Sequence, residues 1–145
     1  MSFLKSLDIS ASGLTAQKFR MDIISQNIAN AQTTRTEEGG PYRRKAVVLA
    51  SRETRETFKD ALDGAVKAGP AGVRVKTIAE DPSPFVPVYD PSHPDADSDG
   101  YVMLPNVNTA QEIIDMLAAS RAYESNVTAL NSIKAMALKA LEIGK

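Results

Sequence analysis

TAQEIIDMLAASRAYESNVTALNSIKAMALKALEI, residues Thr109 to Ile143, contains neither Gly nor Pro. Pro105 stands ahead of it, and Thr109-Ala-Gln-Glu112 fits a capping box, in which Thr and Glu side chains satisfy otherwise orphaned N–H groups. Gly144 follows as a stop. Met116, Tyr123, Leu130 and Ala137 recur every seven residues, and Ala119, Ile133 and Leu141 lie on the same face. The spacing predicts one helix of about 52 Å.

The other end of the chain reads the same way. From Phe3 to Ala31 there is no Pro and a single Gly, Gly13. Leu7, Leu14, Met21 and Ile28 form a second seven-residue stripe, joined by Leu4, Ala11 and Ile24. Over Ser2–Asn30 this helix would be about 44 Å long. Both helices are too long for the core of a small globule, and each apolar seam needs a partner. They are expected to pair as an α-helical hairpin closed through the middle of the chain. A lone pair would leave much of Ile23, Ile24, Ile113, Leu117 and Leu138 in water. Polar side chains crowd the end of one helix (Gln26, Asn27, Asn30 and Gln32) and sit within the other (Arg121, Tyr123, Glu124, Asn126 and Asn131), and they read equally as inter-helix bonds or as plain polar surface. Amides bonded across helices fix register. The expected inter-helix and assembly positions are Leu7, Leu14, Met21, Asn27, Ile28, Asn30, Met116, Arg121, Tyr123, Asn126, Leu130, Ile133 and Leu141.

Between the helices the composition changes. All eight prolines and six of the eight glycines fall there. Runs rich in β-branched or aromatic residues at Tyr42–Leu49, Val73–Ile78, Phe85–Tyr89 and Tyr101–Leu104 are bounded by turns at Gly39-Gly40-Pro41, Gly69-Pro70-Ala71-Gly72 and Asp90-Pro91. They predict three or four strands over a thin core, with Arg52–Val66 either a short helix or a mobile loop. The fold class is α+β: an N-terminal helix over 1–32, a small β-rich insert over 33–105 and a C-terminal helix over 106–145. Residues 33–78 carry ten basic and six acidic side chains, whereas residues 79–105 carry six acidic and no basic ones. Such a dipole either neutralises itself within one subunit or suits contact between subunits.

The chain's 145 residues hold no Cys, no Trp and one His. Thiolate nucleophiles, disulfides, iron–sulfur clusters and Cys-based zinc sites are excluded together. A net charge of −1 gives no general pull toward nucleic acid or anionic lipid. The N-terminus, broken by Lys5 and Asp8, does not read as a cleavable secretory signal. Asp95-Ala-Asp97-Ser-Asp99-Gly100 opens like a calcium loop, but Asn106 stands where a bidentate Glu belongs, and Pro91 and Pro94 deny it an entering helix. Ser92-His93-Pro94 offers no firm base–nucleophile geometry. Tyr42-Arg43-Arg44-Lys45 reads as a basic strand after a hinge rather than a phosphate cradle. No catalytic site, cofactor, metal, small-molecule substrate or nucleic acid is expected.

Ser25-Gln-Asn-Ile-Ala-Asn-Ala-Gln-Thr33 resembles the N-terminal signature S-x-N-I-A-N-x-x-T of the bacterial flagellar rod and hook axial protein family. Asn106-Val-Asn-Thr-Ala-Gln-Glu112, continuing through Met116 and Ala119-Ser-Arg-Ala-Tyr-Glu-Ser-Asn126 to Lys134-Ala-Met136, resembles its C-terminal signature. Gly39-Gly-Pro-Tyr-Arg-Arg-Lys45 and Asp90-Pro-Ser-His-Pro-Asp-Ala-Asp97, leading into Gly100-Tyr-Val102, are similar to the family's proximal rod members. The resemblance implies a structural subunit of the basal-body rod in the periplasmic space. Its terminal helices would face a central channel, and its copies would stack helically to carry torque from motor to hook. Implied partners are other copies, neighbouring rod proteins and the flagellar type III export apparatus, which would pass the chain without removing a signal peptide. The runner-up reading is a cytoplasmic coiled-coil adaptor acting as a dimer; concentration-dependent ring or filament formation separates the two.

Overall fold

The computed structural model describes residues 3–37, 39–52 and 72–143. Helix α1 spans Phe3–Ala29 and helix α2 spans Thr109–Ile143. Among the described residues four strands lie between them in sequence: β1 (Lys45–Ser51), β2 (Val73–Glu80), β3 (Val86–Tyr89) and β4 (Tyr101–Leu104). The architecture is α+β, as the sequence predicts, with the strands in two separate two-stranded sheets, β1–β2 and β3–β4. The helices form where Pro is missing, where Gly13 is the one glycine, and where the apolar period is helical. The strands form in the β-branched runs, each bounded by turn residues. The expectations for Arg52–Val66, the Gly69–Gly72 turn and the Gly144 stop fall largely or wholly outside the described residues. No described helix is long and apolar enough to cross a membrane.

The chain divides into two compact units, and each helix contributes to both. The first unit is Met1–Phe19, Val48–Thr77 and Ser120–Lys145. Its α1 and α2 portions meet at Gly13, where the Asn126 side chain stands so close that an added Cβ would lie 3.0 Å from its Oδ1. Toward the end of the chain, Phe3 and Ser6 line one apolar groove with Ile133, Met136, Ala137, Ala140 and Leu141. Gly13 facing Asn126 while Phe3 faces the 133–141 stretch fixes an antiparallel course. Strand β2 enters on the same helix: Ser12 Oγ donates to Ile9 O (2.7 Å) and accepts the Val73 N–H (3.1 Å). Among the described residues of this unit the buried ones, Ser10 and Ala16, are small.

The second unit is Arg20–Val47 and Ile78–Ala119. Its apolar core includes Ile23, Ile24, Val102 and Ala119. The expectation that Ile23 and Ile24 stay in water is therefore corrected. Here the last turns of α1 are joined by Tyr42 and Lys45 as well as by α2, through Asn27 and Arg20. Ile113 and Leu117, by contrast, remain about half exposed, as does Leu138 in the first unit. Strands β3 and β4 run antiparallel, with Val86 opposite Leu104, Pro87 opposite Met103, Val88 opposite Val102 and Tyr89 opposite Tyr101.

Candidate functional site

Among the described residues the largest fully buried side chains are polar, Glu112 at 0% and Asn27 at 1% exposure, and both belong to the second unit. Their placement begins with the end of α1. Beyond Ala29 the chain makes a tight turn in which the Asn30 and Ala31 N–H groups donate to Gln26 O and Ile28 O. It then returns so that the Tyr42 N–H donates to Thr33 O (3.0 Å). Tyr42-Arg43-Arg44-Lys45 is thus led past the last turns of α1.

Asn27 meets it with all four hydrogen bonds its amide can make. Its Nδ2 donates to Lys45 O (2.8 Å) and to Glu112 Oε2 (2.9 Å). Its Oδ1 accepts the Lys45 N–H (3.0 Å) and the Tyr42 hydroxyl (2.9 Å). The side chain pairs with the Lys45 peptide groups as a neighbouring strand would.

Glu112 holds the other side of the cluster. Its Oε1 accepts from Arg44 Nε at 2.7 Å, and the Arg44 guanidinium also approaches Asp81 (3.6 Å) and Asp115 (3.8 Å). Asp115 is shared with Arg20 of α1 at 3.5 Å. Burial alone would lower the Arg44 pKa, but the hydrogen bond and charge of Glu112, helped by Asp81 and Asp115, raise it. The Tyr42 phenol is pushed up by burial and by the negative charges of Glu112 and Glu80. Asn106 completes the arrangement just ahead of α2: its Oδ1 accepts the Arg44 N–H (2.9 Å), and its Nδ2 donates to Asp81 O and Ser83 O. Arg43 donates to the same two carbonyls and lies over the Phe85 ring, 4.5 Å from its centroid. One turn, one strand and two helices are therefore tied at a single node with its polar atoms paired.

This geometry corrects the capping box. Asn108 is the cap, its Oδ1 accepting the N–H groups of Ala110 (3.1 Å) and Gln111 (3.2 Å). Glu112 is released from that task and turned inward. The basic run also differs from a plain basic strand, because Arg43 and Arg44 point into the protein.

Of the positions expected on the seam, Asn27 binds across helices as described. Asn30 bonds locally, to Gln26 O and from Thr33 Oγ1. Asn126 donates to Ala122 O while lying against Gly13. Leu7, Leu14, Met21, Ile28, Met116, Tyr123, Leu130 and Ile133 are half-buried, and Arg121 and Leu141 are exposed. The residues missed as a cluster are Tyr42, Arg44, Asn106 and Asp115. Their only signal is a basic side chain in a strand and a Glu in the first turn of a helix, far apart in sequence.

The acidic turn is stitched by its own atoms. Asp97 Oδ1 accepts the Asp99 and Tyr101 N–H groups, and Asp95 pairs with Arg35 and accepts from Thr34. His93 Nδ1 accepts the Asp95 N–H at 3.1 Å. Among the described residues no three acidic or His side chains converge as metal ligands would.

Both ends of the chain match known families. Residues 7–35 match the family model described as flagella basal body rod protein, and residues 98–143 match that of the flagellar basal body rod FlgEFG protein C-terminal. A flagellar basal-body rod protein FlgC of Borreliella burgdorferi is 47% identical over 99% of this chain and 98% of its own length. The FlgC of Bacillus subtilis is 49% identical over the whole of both chains. That of Escherichia coli O6:H1 is 38% identical, again over both full lengths.

Proposed function

The chain belongs to the FlgC family of flagellar basal-body rod proteins, and from that membership we propose how it serves as a structural subunit of the rod. Its copies and neighbouring rod proteins stack helically, the terminal helices line the export channel, and the assembled shaft carries torque from motor to hook. The chain reaches that place in the periplasmic space through the flagellar type III export apparatus. The organisation 1–32, 33–105 and 106–145 separates the channel-side helices from the outer insert. The seam positions named above, Leu7 to Leu141, act as inter-helix and assembly contacts.

The observation that supports this reading is the buried node. Stretches quoted for the family resemblance, around Asn27, Arg44 and Asn106–Glu112, meet in one polar cluster within one unit. A transmitting part needs its helices and strand fixed in register, and a cluster whose members satisfy one another penalises slippage, since each broken contact would strand a buried polar group. Nothing in this arrangement presents a reacting group to solvent, and the reading is structural rather than catalytic.

The experiment is to remove the chain from a flagellated host and restore it with an epitope-tagged copy. The proposal expects non-motile cells without it and the tag on the rod of purified hook–basal bodies in the restored strain. Swimming without the chain, or basal bodies lacking the tag, would overturn it.

A further inference from the structure

Tyr89 and Tyr101 face each other where β3 gives way to the loop that leads into β4. The next pair outward, Asp90 and Gly100, is joined by the Asp90 N–H donating to Gly100 O at 3.0 Å. Hydrogen-bonded and non-hydrogen-bonded pairs alternate along an antiparallel ladder, so the two tyrosines oppose each other where side chains stand closest. Their rings meet edge to face with centroids 5.3 Å apart, the one ring–ring contact among the described residues. Gly100 makes room for it: a Cβ there would come within 3.0 Å of Tyr89 Cε2, a ring carbon adjacent to the one that bears the hydroxyl. The turn beyond is held from inside. Asp97 Oδ1 accepts the Asp99 and Tyr101 N–H groups, and Asp97 O accepts the Gly100 N–H. Tyr89 is 65% exposed and Tyr101 44%, so both phenols are open to solvent.

Two phenols held in this way are set for oxidative coupling, since fixed proximity stands in for a high concentration of each at the other. Competing sites are poor. The chain has no Trp and no Cys to divert the oxidation. Of the other two tyrosines, Tyr42 is half-buried with its hydroxyl committed to Asn27 Oδ1, and Tyr123 is half-buried on α2. We propose that Tyr89 and Tyr101 form a modification site, at which a peroxidase-type one-electron oxidant joins the two rings into an intrachain dityrosine. Each phenol gives up one electron and one proton to become a phenoxyl radical. The two radicals join through ring carbons ortho to their oxygens, and the hydrogens on those carbons move to the oxygens, restoring both phenols. Hydrogen peroxide takes up the two electrons and two protons and leaves as two waters. The new bond staples the ribbon end and closes the Asp90–Gly100 loop, as a disulfide closes a loop. The pair lies within one subunit and does not depend on the rod reading.

The test treats the purified full chain, kept dilute, with a haem peroxidase and hydrogen peroxide and follows dityrosine fluorescence. A protease that cuts after acidic residues then separates Tyr89 from Tyr101 unless they are linked, because Asp95, Asp97 and Asp99 lie between them. The expected product is a monomer whose two tyrosine peptides stay joined, lighter than their sum by the two hydrogens lost. Its fractional yield should hold constant over about a tenfold dilution, as an intramolecular step requires. Tyr89→Phe and Tyr101→Phe, which keep the rings and remove one phenol each, should both abolish it. Coupling through Tyr42 or Tyr123, dimers in place of the internal link, or no dityrosine at all would each overturn the proposal.

Discussion

Removing the Arg44 guanidinium should harm the fold more than neutralising the carboxylate it serves. In Arg44→Met, the Glu112 carboxylate stays fully buried and keeps one donor, Asn27 Nδ2, with no cation in contact. Breaking a buried pair from one side costs about 3–5 kcal/mol, a large part of the roughly 5–15 kcal/mol that stabilises a typical domain. Glu112→Gln leaves Arg44 beside Asp81 and Asp115 and forces one donor–donor contact, for about 1–3 kcal/mol. The double variant is the sharper comparison. With Arg44 absent, the neutral amide of Glu112→Gln removes the unpaired charge, so the second change should restore about 1–3 kcal/mol of what the first removed. The assay is urea unfolding of the purified chain followed by near-ultraviolet circular dichroism of tyrosine, since Tyr42 sits in the cluster. At a slope of about 2 kcal/mol per molar, Arg44→Met should lower the midpoint by about 2 M. Additive losses in the double variant, or a greater loss from Glu112→Gln than from Arg44→Met, would refute the buried-carboxylate account.

Gly72 has φ +101°, and a Cβ there would collide with Ser12 Oγ, which already bonds Val73 N–H and Ile9 O. Gly72→Ala should cost about 3 kcal/mol, against about 1–2 kcal/mol for Gly39→Ala, where φ is also positive but the space is open; thermal melts of the two compare them. Because the folded state raises the Tyr42 pKa, its contribution to stability is fully present below the unfolded tyrosine value of about 10 and is lost as pH rises through the folded value. Absorbance titration should show the last-ionising of the four tyrosines disappear in Tyr42→Phe. Leu130→Asp puts a carboxylate on the half-buried seam and should abolish swimming, whereas His93→Ala removes one bond in a turn and should leave motility nearly intact at matched protein levels. Equal loss from both would point to a role for His93 that the structure does not supply.

The helices and strands of the described residues are legible in the sequence because each rests on local chemistry: runs without Pro and nearly without Gly, an apolar period, turn residues at the ends. The node is not. Thr109-Ala-Gln-Glu112 has the letters of a capping box, yet Asn108 offers a better-placed acceptor, and the partners that draw Glu112 inward are 68 and 85 positions away. Arg44 reads as one of three consecutive basic residues in a strand, because nothing near it in sequence is its counterion. The count of helices alone puts Ile23 and Ile24 in water, because it leaves out the return of the chain past the end of α1 at Tyr42–Lys45. Asn27 stands out as a polar residue on an apolar stripe, but its four partners depend on a chain reversal at Asn30 that composition does not specify.

The pairing of Asn27 with Lys45 has a further consequence. Arg44 O accepts from Asp81 N–H on the β2 side, so the peptide groups of Lys45 face the opposite margin of β1. An open margin of this kind is a template on which another extended chain can add, and at the local concentration of a growing shaft it invites runaway cross-chain stacking. The amide of Asn27 occupies both positions from within. At Lys45, then, β1 is closed to an added strand by a side chain of its own chain.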